Sequence, residues 1–172
     1  MSQADKPLVN RVANSGLTTI KPEDFYPTEV MHSFDLKDFL FQGLILREKD
    51  FRESLEAHDW QQYTGAALCV FSSTDAIIPV WAYMLVAVYA QPHASTVFQG
   101  SPSEYVQHRM LAALDHILPA DYQDQRIVIK GCSDKPVPPA VYLALSQKLR
   151  PYVKSIMYGE PCSTVPIYKK KA

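Results

Sequence analysis

Apolar positions recur at helical spacing through residues 47–58, where Phe51 and Leu55 share one face and charged side chains fill the gaps. The same spacing returns over residues 104–117 with Met110, Leu111 and Leu114. Each helix is followed by a short β-favouring run, residues 66–71 and 126–130, sized for a buried strand. A polar turn follows each run, Ser72-Ser73-Thr74-Asp75 in one and Gly131-Cys132-Ser133-Asp134 in the other. A second helix is then expected to open near Pro79 or Pro138, because proline suits the first helical position, and to stop at Pro92 or Pro151. A further strand, Thr96–Gln99 or residues 155–158, ends at Gly100 or Gly159.

The two series superpose. Laying Tyr63 on Tyr122, an offset of 59, also pairs Asp75 with Asp134, Pro79 with Pro138, Tyr83 with Tyr142 and Gly100 with Gly159. Apolar positions follow, as in Leu68 with Ile127 and Met84 with Leu143. This points to an internal duplication over about 48–102 and 107–161. Helix–strand–helix–strand given twice predicts βαβ crossovers and a single α/β domain, residues 1–172, with a mainly parallel sheet covered by helices on both faces. Residues 1–46 read as a non-repeated extension of that domain. Within it, Leu17–Ile20 and residues 30–34 are candidate edge strands, and Asp35 is placed to cap a short helix through Phe41. The closing Tyr168-Lys169-Lys170-Lys171 reads as a solvated tail.

Composition narrows the class. With 172 residues, 47% of them hydrophobic, the chain is long enough for a real core. Seventeen basic and 18 acidic side chains argue against nucleic acid bound through a broadly basic surface, although a local patch stays open. No apolar run reaches the roughly 18 residues of a membrane helix. The first residues lack the apolar stretch of a secretory signal, so a cytoplasmic location with reduced thiols is expected. Three cysteines do not make a disulfide framework.

In parallel α/β sheets, ligands gather beyond the carboxyl ends of the strands. Three such exits carry related polar sequences: Ser73-Thr74-Asp75, Cys132-Ser133-Asp134 and Cys162-Ser163-Thr164. If the strands share one sheet, the exits share one edge and Cys132 can approach Cys162. The leading reading is a metal site, zinc or iron, with Cys132, Cys162 and Asp134 as ligands and Asp75, Ser133 and Ser163 around them. The alternative is thiol chemistry, with Cys132 as nucleophile or persulfide carrier between a strand and a helix start. Against it, Asp134 opposes a thiolate and no histidine stands nearby in sequence. A third class is a non-catalytic homodimer that docks through its tyrosine-rich helices and Trp81. Plainer roles compete for several residues. Cys69 reads as core, Asp75 and Asp134 as helix caps, and His58 as a helix-end residue stabilised by terminal carbonyls. Neither a phosphate-binding glycine loop nor a G-x-S-x-G elbow is present, which disfavours P-loop enzymes, nucleotide-dependent oxidoreductases and serine hydrolases.

Longer runs carry a resemblance. Residues 43–52, beginning Gly43-Leu44-Ile45, together with His58-Asp59-Trp60, Lys130-Gly131-Cys132-Ser133 and residues 157–166, resemble an uncharacterised bacterial family, domain of unknown function 2480. The resemblance spans nearly the whole chain, from Val9 to Lys169. It implies no activity. What it implies by association is an accessory place beside iron–sulfur cluster assembly and its proteins, with Cys132 and Cys162 in the family's two cysteine motifs.

Overall fold

A computed structural model describes residues 16–160 and 163–171. In chain order the elements are β1 (Leu17–Ile20), β2 (Met31–Asp35), α1 (Glu48–Ala57), β3 (Ala67–Phe71), α2 (Val80–Ala90), β4 (Thr96–Gln99), α3 (Pro102–Ala113), β5 (Arg126–Ile129), α4 (Pro139–Leu149), β6 (Ser155–Glu160) and β7 (Ser163–Lys169). The fold is mixed α/β with mostly parallel strand pairing.

The strands form two sheets where the sequence pattern leads one to expect a single sheet. One sheet runs β2-β3-β4, all parallel, and the other runs β1-β5-β6-β7, parallel except for the β6–β7 pair. Periodicity counts strands but does not choose their neighbours. Each βαβ crossover closes on itself, and the N-terminal segment then gives one edge strand to each sheet, β1 beside β5 and β2 beside β3. The chain correspondingly divides into two compact units. Pro27–His108 form one, and the described residues up to Tyr26 and from Arg109 onwards form the other.

The central unit buries both faces of its sheet. Phe34, Leu68 and Val70 pack with Phe51 and Leu55 of α1 and with Ala82, Val86 and Ala90 of α2. Ala67 and Cys69, on the alternate face, pack with Tyr105 of α3. Trp60 closes the end of α1, its indole N–H donating to the Leu55 carbonyl at 2.8 Å. In the other unit the buried positions occupy equivalent places: Met110 and Leu114, then Ile127–Ile129, then Val141, Leu145 and Leu149 of α4, then Ile156. Pro79 and Pro138 precede their helices with the same backbone angles, φ −62° and ψ 139°. Gly100 and Gly159 follow β4 and interrupt β6 at φ +142° and +123°, in a region that L side chains rarely occupy.

Three local expectations need correction. The C-terminal segment is no tail: β7 pairs antiparallel with β6 from Ser155–Lys169 to Glu160–Ser163, and the Lys170 N–H donates to the Lys154 carbonyl at 2.9 Å. Pro166 conceals this strand in the sequence, yet proline is tolerated on the sheet edge where β7 lies. Asp75 and Asp134 do not cap helices. α2 and α4 begin farther along the chain, after Pro79 and Pro138, and neither has a side-chain cap. His58 follows α1, but its Nε2 hydrogen-bonds the Tyr63 hydroxyl at 2.8 Å, and burial holds its pKa below the ordinary imidazole value against the opposing charge of Asp59. Asp35 does cap the short 3-10 turn Leu36–Phe39, its Oδ1 accepting from the Lys37 N–H.

Candidate functional site

Parallel pairing sends the carboxyl ends of β1, β5 and β6 to one edge of the four-stranded sheet. The chain leaving β1 turns through Pro22–Phe25 and brings Glu23 across to Lys130, which follows β5; Lys130 Nζ and Glu23 Oε1 are 2.9 Å apart. Glu23, Lys130, Cys132, Ser133, Asp134 and Lys135 line a cavity of about 270 Å³ there. Glu160 closes β6, and its charge reaches Lys130 together with those of Glu23 and Asp134. The Glu23 hydrogen bond raises the Lys130 pKa; burial opposes it and the three carboxylates reinforce it. For Glu23 itself, burial resists ionisation, but the Lys130 hydrogen bond and charge outweigh it and hold the carboxyl below its ordinary value.

Among the described residues, two oxygens at this edge lack donors. Glu23 Oε2 and Glu160 Oε1 are both buried and unpartnered. Leaving a buried acceptor unpaired costs roughly 1–3 kcal/mol. Cys132 is exposed and carries a free thiol. A second cleft, about 450 Å³, adjoins on the far side of Ser133 and includes Gly131, Tyr142 and Tyr158. The two tyrosine rings meet edge to face at 5.6 Å. Burial raises the Tyr142 pKa, with Tyr158, Glu23 and Cys132 adding to it, so its phenol stays protonated. Gly131 packs close to the Tyr158 ring, which would have to shift if a Cβ were added, since the two would stand 2.7 Å apart.

The exit of β3, in the three-stranded sheet, is chemically quieter. Its cavity of about 440 Å³ is bounded by Ser72, Thr74, Tyr83, Gln99, Ser101 and Glu104 among others. Two of its carboxylates, Asp35 and Glu104, are held by local hydrogen bonds, while Asp75 is exposed. Asp35 accepts from the Ser73 N–H at 3.0 Å and the Lys37 N–H at 3.1 Å. Glu104 Oε2 accepts from the N–H and the hydroxyl of Ser101, each at 2.7 Å, and these bonds lower its pKa.

The residues expected from sequence therefore separate. Cys132, Ser133 and Asp134 share one cavity. Ser163 opens β7 opposite Glu160 of β6. Asp75 follows β3 in the other sheet, so it gains no place at this edge by sheet pairing. Cys162 lies outside the described residues. Cys69 is fully buried, and burial raises its pKa. Trp81, Tyr83 and Tyr89 pack half-buried against the core of the central unit; the exposed apolar side chains of α2 are Val80, Met84 and Val88. Among the described residues, no group of three or more His, Cys, Asp and Glu is placed to hold a metal. Sequence reasoning misses Glu23, Lys130 and Glu160 as site residues. Glu160 and Lys130 each adjoin a cysteine motif, whereas Glu23 becomes visible only through the pairing of β1 with β5, across more than a hundred residues.

One family model, described as a protein of unknown function (DUF2480), matches residues 6–170. The chain belongs to that family. The DUF2480 match includes both cysteine motifs and every strand described above. No curated protein and no solved structure matches the chain. No helix among the described residues is long and apolar enough to cross a membrane.

Proposed function

We propose that this DUF2480 chain binds a metal ion, zinc or iron, at the exit of β5 and β6, with Cys132 as its sulfur ligand and Cys162 and Asp134 completing the set. The observation that carries the reading is the pair of buried, donorless carboxylate oxygens, Glu23 Oε2 and Glu160 Oε1, at the sheet edge that also bears the exposed Cys132 thiol. A cation near them would relieve the unpaired acceptors. A thiolate beside carboxylates selects zinc or ferrous iron over calcium or magnesium. Because the described residues hold no complete ligand group, Cys162 is a required donor in this reading. An accessory role in iron–sulfur assembly is its narrower form. The site would sit in one half of a duplicated chain, a reading supported by the equal spacing of β3, α2 and β4 against β5, α4 and β6.

Elemental analysis of protein prepared anaerobically in metal-replete medium without chelator tests this. About one equivalent of zinc or iron is expected in the parent and less than a tenth of that in Cys132→Ser and in Cys162→Ser. Metal-free parent protein, or full occupancy in either variant, would overturn the reading.

A second reading has its own support. Lys130 and Lys135 line the same cavity as Cys132, and ammonium groups are suitable neighbours for a thiolate or a bound persulfide. It predicts a persulfide adduct on Cys132 by mass spectrometry that survives Cys162→Ser, whereas the metal reading predicts that this change abolishes function.

A further inference from the structure

At the end of the four-stranded sheet opposite Cys132, a cleft of about 800 Å³ opens across all four strands. Leu17, Arg126, Ser155 and Lys169 stand in register across the sheet, one from each strand, and all line it. Three inter-strand steps make the cleft about 14 Å wide. Two pairs farther in, Met157 pairs with Pro166, and both form part of the wall. Apolar groups make most of that wall, with Tyr168 completing it.

The rim carries the opposite character. Arg126, Lys154, Lys169, Lys170 and Lys171 line the cleft, and Asp124 is the one acid among them. Lys170 Nζ lies 3.6 Å from Asp124 Oδ1. Among the described residues, Arg126, Lys154, Lys169 and Lys171 have no carboxylate within ion-pair distance. A chain whose net charge is −1 thus gathers four net positive charges around one apolar cleft. Like charges held together this way are unfavourable without an anion. The volume lies in the range of small-molecule sites, and an apolar wall with a few polar anchors is their usual lining.

We infer that this cleft binds a small amphiphilic anion, an acyl chain ending in a carboxylate, with its apolar body over Met157 and Pro166 and its head among the rim cations. The inference uses none of the residues of the proposed metal site, so neither reading depends on the other. A single nucleic-acid strand fits less well. It needs successive stacking platforms, and the wall offers one aromatic ring, Tyr168, over which the Arg150 guanidinium already stands at 5.2 Å. Charge attracts the head, and the apolar wall selects the tail.

Isothermal titration of the full chain with decanoate, below its micelle concentration, tests the proposal. Saturable binding is expected, at least tenfold weaker for 1-decanol and at least tenfold weaker in Arg126→Glu and in Lys169→Glu/Lys171→Glu. These positions are exposed, so the variants should melt like the parent. Equal affinity for decanoate and decanol would overturn the inference, as would unchanged decanoate affinity in both variants. The proposal also fails if the chain ignores decanoate yet binds a twelve-residue oligothymidylate or phosphatidylglycerol vesicles, which would make the rim a polyanion or lipid-surface site.

Discussion

The exits of β3 and β5 share local features and differ in how their polar groups are satisfied. Each follows a buried parallel strand, each precedes a helix introduced by a proline at φ −62°, and each lies beside a strand with a positive-φ glycine, Gly100 just after β4 and Gly159 within β6. At the β3 exit, Asp35 and Glu104 are satisfied by backbone and hydroxyl donors a few residues away or on the adjoining turn. At the β5 exit, Glu23 and Glu160 each retain a buried oxygen without a donor, and a thiol stands in the open. Closed hydrogen bonding marks a structural site. Acceptors left open are what the proposed metal site would use.

The largest difference should come from the paired glycines. A Cβ at Gly159 would stand 2.5 Å from the Ser163 carbonyl oxygen, a backbone atom that cannot step aside, whereas at Gly100 the nearest atom is Cε1 of the Phe98 ring at 2.7 Å, which can turn. Gly159→Ala should therefore lose about 3 kcal/mol and Gly100→Ala about 1.5 kcal/mol, both carrying the positive-φ strain. Urea unfolding midpoints would measure this, and equal losses would remove the asymmetry between the exits.

Smaller and opposite effects are expected from the carboxylates. Asp35→Ala removes a cap and the acceptor for Ser73, and should lower stability by about 1–2 kcal/mol. Glu160→Gln removes a charge with a donorless oxygen and should leave metal-free protein unchanged or more stable by up to about 1 kcal/mol. A loss for Glu160→Gln matching that for Asp35→Ala would mean that the β5 exit is as closed as the β3 exit.

The mildest effect is in pH dependence. The Glu23 pKa is lowered, so its contribution is present above the ordinary value of 4.5 and is lost as pH falls through the lower folded value. The Lys130 pKa is raised, so its contribution is full below 10.5 and is lost as pH rises through the higher folded value. Asp35, also lowered, adds to the acid arm from the central unit, where burial resists ionisation but the hydrogen bonds from Ser73 and Lys37 prevail. Melting curves of Lys130→Met against the parent should converge at both extremes of pH and differ between them. A constant gap throughout would show that the pair contributes nothing through its charge.

Much of this fold is legible in the amino-acid pattern. Thr96–Gln99 forms the expected strand, Leu17–Ile20 and Met31–Asp35 lie at sheet edges, and α2 and α4 open after the anticipated prolines. Those features follow from local periodicity and backbone stereochemistry. The division into two sheets is not legible, because Leu17 meets Arg126 only through a pairing that no local pattern encodes. That same pairing hides Glu23. β7 escapes notice because Pro166 and three terminal lysines resemble a solvated tail, although an edge strand accommodates both. Cys132 stands out as a candidate in the sequence because an uncommon side chain stands at a strand exit, and the structure exposes it there; its carboxylate neighbours are too ordinary to stand out.

Cobalt(II) titration tests the central claim most directly, since a cobalt–thiolate bond absorbs where cobalt–oxygen coordination does not. The account predicts a sulfur-to-cobalt charge-transfer band that saturates near one equivalent in the parent and in Thr74→Ala at the β3 exit, and that is lost in Cys132→Ser. Absence of the band in the reduced parent, or its persistence in Cys132→Ser, would contradict the claim that the β5 exit is the open, ligand-binding member of the pair.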